Sequence, residues 1–211
     1  MKINEITDNP KADDAEIDAL VKTIRTECSQ FIPYVVEARY ALYRGLQVGT
    51  KWHSFVTKQR QIPLAFVGKS ISRYGSGVSP TEKEFDNLLL NAGFTALRSN
   101  SIYTTGDQHV AEGYGEMYEI LPKNGFTYTW APGAGKDNVY IVETINDILK
   151  SGNTDPENVR QYLSDTNLAQ AIKQGTEIYI HGEYYAFSRW KMRRVLDKLW
   201  NEEFHPGRVI Q

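Results

Sequence analysis

The sequence predicts an α+β fold for this chain of 211 residues. Helix-like and strand-like segments follow one another in the order helix, strand, long loop, helix, strand, helix, strands, helices, strand, helix. A doubly wound fold would instead alternate strands and helices regularly. The length and a hydrophobic content of 41% allow a packed core. We therefore expect a single domain over residues 14–211, preceded by a polar segment, residues 1–13, that is a candidate mobile N-terminus.

Composition argues against several classes of protein. A net charge of −2 gives no global attraction to nucleic acid or to a membrane surface. The single cysteine, Cys28, cannot form an internal disulfide and fits a reducing compartment. Its position on an apolar helical stripe predicts a core residue. No apolar run reaches about eighteen residues, so no membrane span is expected, and the N-terminus lacks the apolar stretch of a secretory signal.

Hydrophobic spacing predicts the first elements. After Asp14, apolar residues recur at helical spacing, and Pro33 is expected to end this helix. Residues 34–46 are rich in β-branched and aromatic side chains, which predicts an extended run. Residues 46–78 show no clear periodicity and are predicted to form a loop. Loops of this length are often functional.

Local capping signals define the next helix, over residues 79–93. Ser79 and Glu82 form a capping box around a proline, and Gly93 suits the C-terminal cap. Residues 94–105 are strand-like. Asp107 can cap the short helix that follows.

Two strand candidates come next, residues 116–122 and 126–132, and the segment 123–125 between them predicts a hairpin-type turn. Residues 137–150 fit a strand or a helix equally well.

The last third of the chain begins with two short capped helices, residues 154–163 and 165–175. Residues 176–188 read as a strand pair or as one strand bent at Gly182. Residues 189–200 have the apolar spacing of an amphipathic helix.

The sequence carries no metal or nucleotide-loop motif of recognised spacing. The histidines stand without partners at ligand spacing; they are His53, His109, His181 and His205. Residues 132–136 read PGAGK, which is too short for a phosphate-binding P-loop. No nucleophile elbow marks a Ser-His-Asp site. We therefore predict no metal site.

Three short segments carry groups that can bind or act on a ligand. Arg44 ends the first extended run, where its guanidinium can hold a phosphate or carboxylate, and Gly45 leaves room beside the backbone. Residues 103–105 place two threonine hydroxyls at a strand end before a helix. Glu177 opens a late apolar strand, where a carboxylate can point into a cleft. Each segment taken alone also has an ordinary structural explanation.

In this order the three segments resemble the ADP-ribosyltransferase family, whose arginine, hydroxyl and glutamate hold NAD. The stretch YTTGDQHVAEGYG, residues 103–115, is similar to the family's small hydroxyls followed by a helix with an alanine and an aromatic-glycine pair. The stretch TEIYIHGEYYAF, residues 176–187, is similar to the strand pair headed by the family's catalytic glutamate. An RSNS-x-x-x-TGD stretch beginning at Arg98 also resembles bacteriophage proteins with an ADP-ribosyltransferase-like fold. The likeness spans residues 40–187.

The resemblance implies split mixed or antiparallel β-sheets around an NAD cleft, with flanking helices. It implies a phage-encoded, NAD-dependent mono-ADP-ribosyltransferase in the host cytoplasm. This enzyme would transfer ADP-ribose to a host protein or nucleic acid through an oxocarbenium-like transition state.

The resemblance also implies the site residues. The catalytic ones are Glu177, Arg44 and Thr104. NAD itself would contact Arg44, Gly45, Tyr103, Thr104, Thr105 and Tyr114. Thr104 is favoured as the triad hydroxyl because it alternates with Ile102 along the strand, and Thr105 remains open. Gly175 stands two residues before Glu177, where members that modify arginine carry Glu or Gln, which argues against protein arginine as the acceptor.

Two other functions remain open at this point. The chain can be a catalytically inactive relative that serves as a virion or protein-binding component, or it can be a nucleic-acid-binding module. The last predicted helix is locally basic and can contact phosphates or an acidic partner through Arg189, Lys191, Arg193 and Arg194. The acidic N-terminal twenty residues can equally pair with this helix.

Overall fold

The computed structural model describes residues 10–36, 40–46, 61–62, 65–69, 80–132 and 141–204. Within these ranges the helices are α1 (Pro10–Glu27), α2 (Ile32–Val36), α3 (Pro80–Asn91), α4 (Gln108–Glu112), α5 (Ile141–Ser151), α6 (Pro156–Tyr162), α7 (Leu168–Gln174) and α8 (Arg189–Phe204). The strands are β1 (Leu42–Leu46), β2 (Gln61–Ile62), β3 (Ala65–Lys69), β4 (Ile102–Thr105), β5 (Glu116–Pro122), β6 (Thr127–Trp130), β7 (Glu177–His181) and β8 (Glu183–Ser188). The predicted α+β class is confirmed.

The strands form one open sheet in the order β2-β3-β8-β5-β1-β4-β7-β6, and every described pairing is antiparallel. The pairing between β1 and β4 consists of one register pair, Tyr43 with Thr105, whereas β1 and β5 share five. This junction divides the sheet into a five-strand part (β2, β3, β8, β5, β1) and a three-strand part (β4, β7, β6). The sheet is therefore nearly split at β1 and β4, where two of the three predicted site segments lie.

The hairpin predicted between residues 116 and 132 is wrong, although both strands exist. Strand β5 pairs with β1 and β8 inside the sheet, whereas β6 pairs with β7 at one edge and forms a bridge from Trp130 to Ser164. The connecting turn docks on the junction between α1 and α2. The Asn124 side chain accepts a hydrogen bond from the backbone N–H of Gln30 at 3.0 Å and donates one to the Thr26 carbonyl at 2.8 Å. These bonds hold the turn to the helices instead of to a partner strand.

The chain crosses between the two parts of the sheet again at Gly182. Strand β7 belongs to the three-strand part and β8 to the five-strand part, so these consecutive strands are not neighbours. Gly182 has a φ of +132°, a conformation that side chains disfavour. A glycine is what this change of direction requires.

Two further predictions need correction. Within residues 46–78, predicted to be a loop, β2 and β3 form because β3 adds to the free edge of β8. Residues 34–36, predicted to be extended, belong to α2, and α1 ends at Glu27. Pro33 lies in the first turn of α2, where a missing N–H costs no hydrogen bond.

The strand predicted over residues 94–105 is shorter than expected and begins at Ile102. Asn100 shapes the turn before it, since its side chain accepts from the Leu97 N–H at 2.8 Å and donates to the Thr95 carbonyl at 3.0 Å. A side chain that satisfies backbone groups locally competes with strand pairing.

Several local predictions are confirmed. The Asp107 side chain caps α4 by accepting from two backbone N–H groups. Gly175 ends α7 with a φ of +69°, and Gly93 follows α3 with a φ of +83°. Cys28 is fully buried in the core. The capping residue Ser79 lies outside the described residues, and residues 141–151 of the ambiguous segment are helical.

Helices α1 and α8, the first and last elements of the described chain, pack together. Val195 and Leu199 of α8 are fully buried. Arg194 forms an ion pair with Asp14 at 3.0 Å, and Lys198 forms one with Asp18. The predicted pairing of the acidic N-terminal region with the basic last helix is therefore confirmed, and Arg194 is already engaged within the chain.

In the described ranges, no helix has the length and apolar character needed to cross a membrane.

Candidate functional site

The three predicted site segments lie on strands that are neighbours in the sheet. Arg44 is on β1, the two threonines end β4, and Glu177 begins β7. In the register, Tyr43 faces Thr105, and Thr105 faces Glu177. These three side chains therefore form a row across the junction of the two parts of the sheet, on one side of it. We call this side of the sheet at the junction the Glu177 side.

Neighbours along a strand project to opposite sides of a sheet. Arg44 and Thr104 therefore project away from the Glu177 side. Arg44 faces Tyr118 in the register, and its charge acts on the hydroxyl of Tyr184. The structure thus brings Thr105 and Glu177 together and places Arg44 and Thr104 on the other side.

Glu177 is half-buried, and one oxygen of its carboxyl group accepts a hydrogen bond from the Ile141 N–H at 3.1 Å. Ile141 is the first residue of α5, so the carboxylate meets the positive end of that helix dipole. Burial raises the pKa of Glu177 to about 7, although the Ile141 hydrogen bond and the charge of Arg98 oppose this rise. Glu143 raises the pKa further by repulsion. A carboxyl group with a pKa near 7 can exchange a proton at neutral pH.

Thr105 is buried, and its hydroxyl is held by the backbone on both sides. It donates to the Gly175 carbonyl at 2.8 Å and accepts from the Asp107 N–H at 3.0 Å. This one hydroxyl connects the end of β4, the start of α4 and the end of α7. Thr105 thereby fixes the backbone two residues before Glu177.

Thr104 and Arg44 also have partners within the protein. The Thr104 hydroxyl is buried and donates to the Ile178 carbonyl at 3.0 Å. The Arg44 guanidinium is half-buried and donates to the Tyr103 carbonyl at 3.5 Å. The Arg44 contact joins β1 to β4 across the junction, whereas the Thr104 contact joins β4 to β7 within the three-strand part.

The glycine and the tyrosine predicted beside the ligand have different surroundings. A Cβ atom on Gly45 would lie 2.0 Å from the carbonyl oxygen of Ala111 in α4. Close packing of β1 against α4 therefore accounts for Gly45 without a ligand. Tyr114, just after α4, is 48% exposed. Tyr103 lies on the Glu177 side, with its ring centroid 5.0 Å from that of Tyr179.

Two residues that were not predicted to belong to the site, Arg98 and Tyr179, also lie near Glu177. The Arg98 guanidinium lies 5.8 Å from the centre of the Tyr103 ring. Tyr179 is fully buried, and its pKa is raised well above the ordinary value by burial and by the charge of Glu177. Alternation from Glu177 along β7 would have placed Tyr179 on the same side. Arg98 begins the RSNS-x-x-x-TGD stretch, but its proximity to Glu177 depends on how the segment before β4 folds back, which the motif does not reveal.

Among the described residues, no group of three or more His, Cys, Asp or Glu side chains is arranged to hold a metal ion. Of the four histidines, His53 and His205 lie outside the described residues.

No protein-family model, curated protein or solved structure matches the chain. The likeness to ADP-ribosyltransferases therefore remains a prediction made from short motifs.

Proposed function

We propose that the chain is an NAD-dependent mono-ADP-ribosyltransferase in which Glu177 is the catalytic carboxylate. The observation that carries this proposal is the half-buried Glu177 carboxyl group, with a pKa of about 7, beside Thr105 at the junction of the two parts of the sheet. Carboxyl groups with strongly raised pKa values are concentrated at functional sites. This placement agrees with the order of motifs from which the resemblance was drawn.

The proposed reaction breaks the bond between the anomeric ribose carbon of NAD and the nicotinamide nitrogen. The bonding electron pair leaves with nicotinamide, which becomes neutral, and positive charge develops on the ribose. An ionised Glu177 stabilises this oxocarbenium-like state and can hydrogen-bond a ribose hydroxyl. The nucleophile of the acceptor then bonds to the anomeric carbon and gives up its proton, for which a carboxylate with a pKa near 7 is a suitable base.

Arg44 and Thr104 require a separate test, because both project away from the Glu177 side. The resemblance gives Arg44 the pyrophosphate or the adenosine ribose of NAD. Arg44→Lys keeps the charge but loses the planar fork that binds phosphate with two hydrogen bonds. If Arg44 binds NAD, this variant should weaken NAD affinity at least about tenfold, measured by calorimetry.

The activity experiment uses the purified chain, labelled NAD and a bacterial lysate, with both label transfer and nicotinamide release measured. We expect Glu177→Gln to lower both about a hundredfold or more, as loss of one electrostatic contact to a transition state does. Glu157→Gln is the matched control, because Glu157 is exposed on α6. Absence of both signals from the wild-type chain, or full activity of Glu177→Gln, would overturn the proposal.

The acceptor can be identified in the same experiment. Gly175 occupies the position where arginine-modifying members of the family carry Glu or Gln, and it serves here as the left-handed cap of α7. This supports an acceptor other than protein arginine. Treating the labelled lysate with nuclease or with protease separates a nucleic acid from a protein, and a phage-encoded enzyme is expected to modify a host molecule of one of these classes.

One observation favours a second function, that of a catalytically inactive relative that binds a protein partner or a virion. The hydroxyls of Thr104 and Thr105 are both used by the backbone, and Arg44 lies on the other side of the sheet from Glu177. This alternative predicts no heat of NAD binding in calorimetry and no nicotinamide release.

A further inference from the structure

The Glu177 side of the sheet has a guanidinium of its own, and it belongs to Arg98. The Arg98 guanidinium lies over two aromatic rings, 5.8 Å from the centre of Tyr103 and 5.9 Å from that of Phe85. Tyr103 and Thr105 project from the same side of β4, because they are two positions apart along the strand. Arg98 is therefore held on the side that carries Glu177.

Several contacts fix Arg98 in this position. Its Nε atom lies 3.5 Å from a carboxylate oxygen of Glu82 on α3, and the two side chains are 25% and 26% exposed. The Tyr103 hydroxyl donates to the Arg98 carbonyl at 3.1 Å. A guanidinium restrained by two rings and a carboxylate loses little further freedom when it acts on a neighbouring group.

Tyr179 links Arg98 to Glu177. It follows Glu177 by two residues on β7, and its hydroxyl is buried without a hydrogen bond of ordinary geometry. The charges of both Arg98 and Glu177 act on this hydroxyl. A buried hydroxyl without a good partner is costly in a structural core, and a functional role is one explanation for such a group.

We propose that Arg98 is a positioning residue for Glu177 and that its guanidinium supplies positive charge that favours the ionised form of the carboxyl group on this side of the sheet. The catalytic meaning of this role rests on the proposed function, but the interaction between the two side chains does not. Of the described groups that act on Glu177, Glu143 on α5 repels the charge, and the Ile141 N–H and Arg98 stabilise it. Arg98 is the cation among them.

The test measures the pKa of the Glu177 carboxyl group directly, by NMR titration of the chain labelled with ¹³C at glutamate side chains. Glu177→Gln identifies the resonance. We expect Arg98→Gln to raise the pKa of Glu177 by about one pH unit or more, and Arg98→Lys to raise it less, because lysine keeps the charge. Arg160→Gln is the matched control, since Arg160 also stacks on a ring, that of Phe94, and pairs with a carboxylate. An unchanged Glu177 pKa in folded Arg98→Gln, or an equal rise in Arg160→Gln, overturns the proposal.

A second variant covers the case in which Arg98→Gln does not fold. Glu82→Gln removes the carboxylate that partly neutralises Arg98, so it should lower the pKa of Glu177, whereas Glu84→Gln on the exposed face of α3 should not. Equal behaviour of the two variants overturns the proposal.

The titration needs no NAD, so it separates this proposal from the proposed function. Absence of nicotinamide release by the wild-type chain would reject the enzyme and leave the effect of Arg98 measurable. If the chain is active, the acidic limb of its pH profile should move upward in Arg98→Gln together with the Glu177 pKa.

Discussion

The Glu177 carboxyl group couples protonation to the stability of the fold. Its ordinary pKa is 4.5, and burial raises it to about 7 in the folded chain. The folded state therefore holds this proton more tightly than the unfolded state does. The protonated Glu177 carboxyl group therefore stabilises the fold. This stabilisation is complete below about pH 4.5, declines as the pH rises toward 7, and is absent above 7.

We predict that the free energy of unfolding of the wild-type chain loses up to about 3 kcal/mol from this group between pH 4.5 and pH 7.5. Glu177→Gln cannot ionise and should lack this part of the pH dependence. Urea denaturation across the range measures both curves, with Glu157→Gln as the control. Parallel curves for the wild type and Glu177→Gln would rule out the raised pKa.

The two neighbouring threonines should differ in their contribution to stability. Replacing Thr105 with valine leaves both the Asp107 N–H and the Gly175 carbonyl without their partner, whereas Thr104→Val affects only the Ile178 carbonyl. We expect Thr105→Val to cost about 2–3 kcal/mol and Thr104→Val about 1 kcal/mol. Chemical denaturation measures the difference, and a larger cost for Thr104→Val would contradict it.

At the scale of single elements, the sequence was most informative where structure depends on adjacent residues. Asp107 and Gly175 act through neighbouring backbone groups, so their roles as caps could be predicted. Which strands pair could not be predicted, because an extended segment offers the same hydrogen bonds to any partner edge. Asn124 is the clearest case, since a turn of that composition usually closes a hairpin and here binds two helices instead.

The same reasoning applies to the candidate site. Alternation along β4 correctly separated residues 102 and 104 from residues 103 and 105. The order of the motifs selected three segments of the chain, and these segments lie on the neighbouring strands β1, β4 and β7. The direction of Arg44 relative to Glu177 depends on the register across the junction, and the proximity of Arg98 depends on tertiary packing, so neither could be predicted from spacing.

We predict that the turn between β5 and β6 is an essential attachment for α1 and α2. The Asn124 side chain bonds to residues 26, 29 and 30, and its N–H donates to the Glu27 carbonyl. Asn124→Ala removes these side-chain bonds, whose backbone partners are exposed and can bond to water instead, so it should cost about 1–2 kcal/mol. Asn87→Ala, on the exposed face of α3, should change stability by less than about 0.5 kcal/mol. Equal midpoints of thermal unfolding for the two variants would contradict this role of the turn.

At the scale of the whole molecule, the packing of α1 against α8 connects the beginning and the end of the described chain across the five-strand part of the sheet. The apolar contact supplies most of the stability, because the ion pairs involve side chains that are partly exposed.

The main consequence of these ion pairs concerns recognition of a partner. Arg194 and Lys198 are engaged with Asp14 and Asp18, so the positive charge available to a phosphate partner is smaller than the composition of α8 suggests. Arg193 remains exposed, and the side chains of Arg189 and Lys191 lie outside the described part.

A charge swap tests whether these pairs hold the two helices in register. Asp18→Lys places two lysines together and should destabilise the chain by about 0.5–1 kcal/mol, and Lys198→Asp should do the same by joining two carboxylates. The double variant restores an ion pair in the opposite sense and should recover most of the loss, which a double-mutant cycle of denaturation midpoints measures. Because the pair is partly exposed, the coupling should shrink as salt is raised toward 1 M. Additive losses in the double variant, unchanged by salt, would mean that α1 and α8 are aligned by apolar packing alone and that α8 is free to offer its charges to a partner.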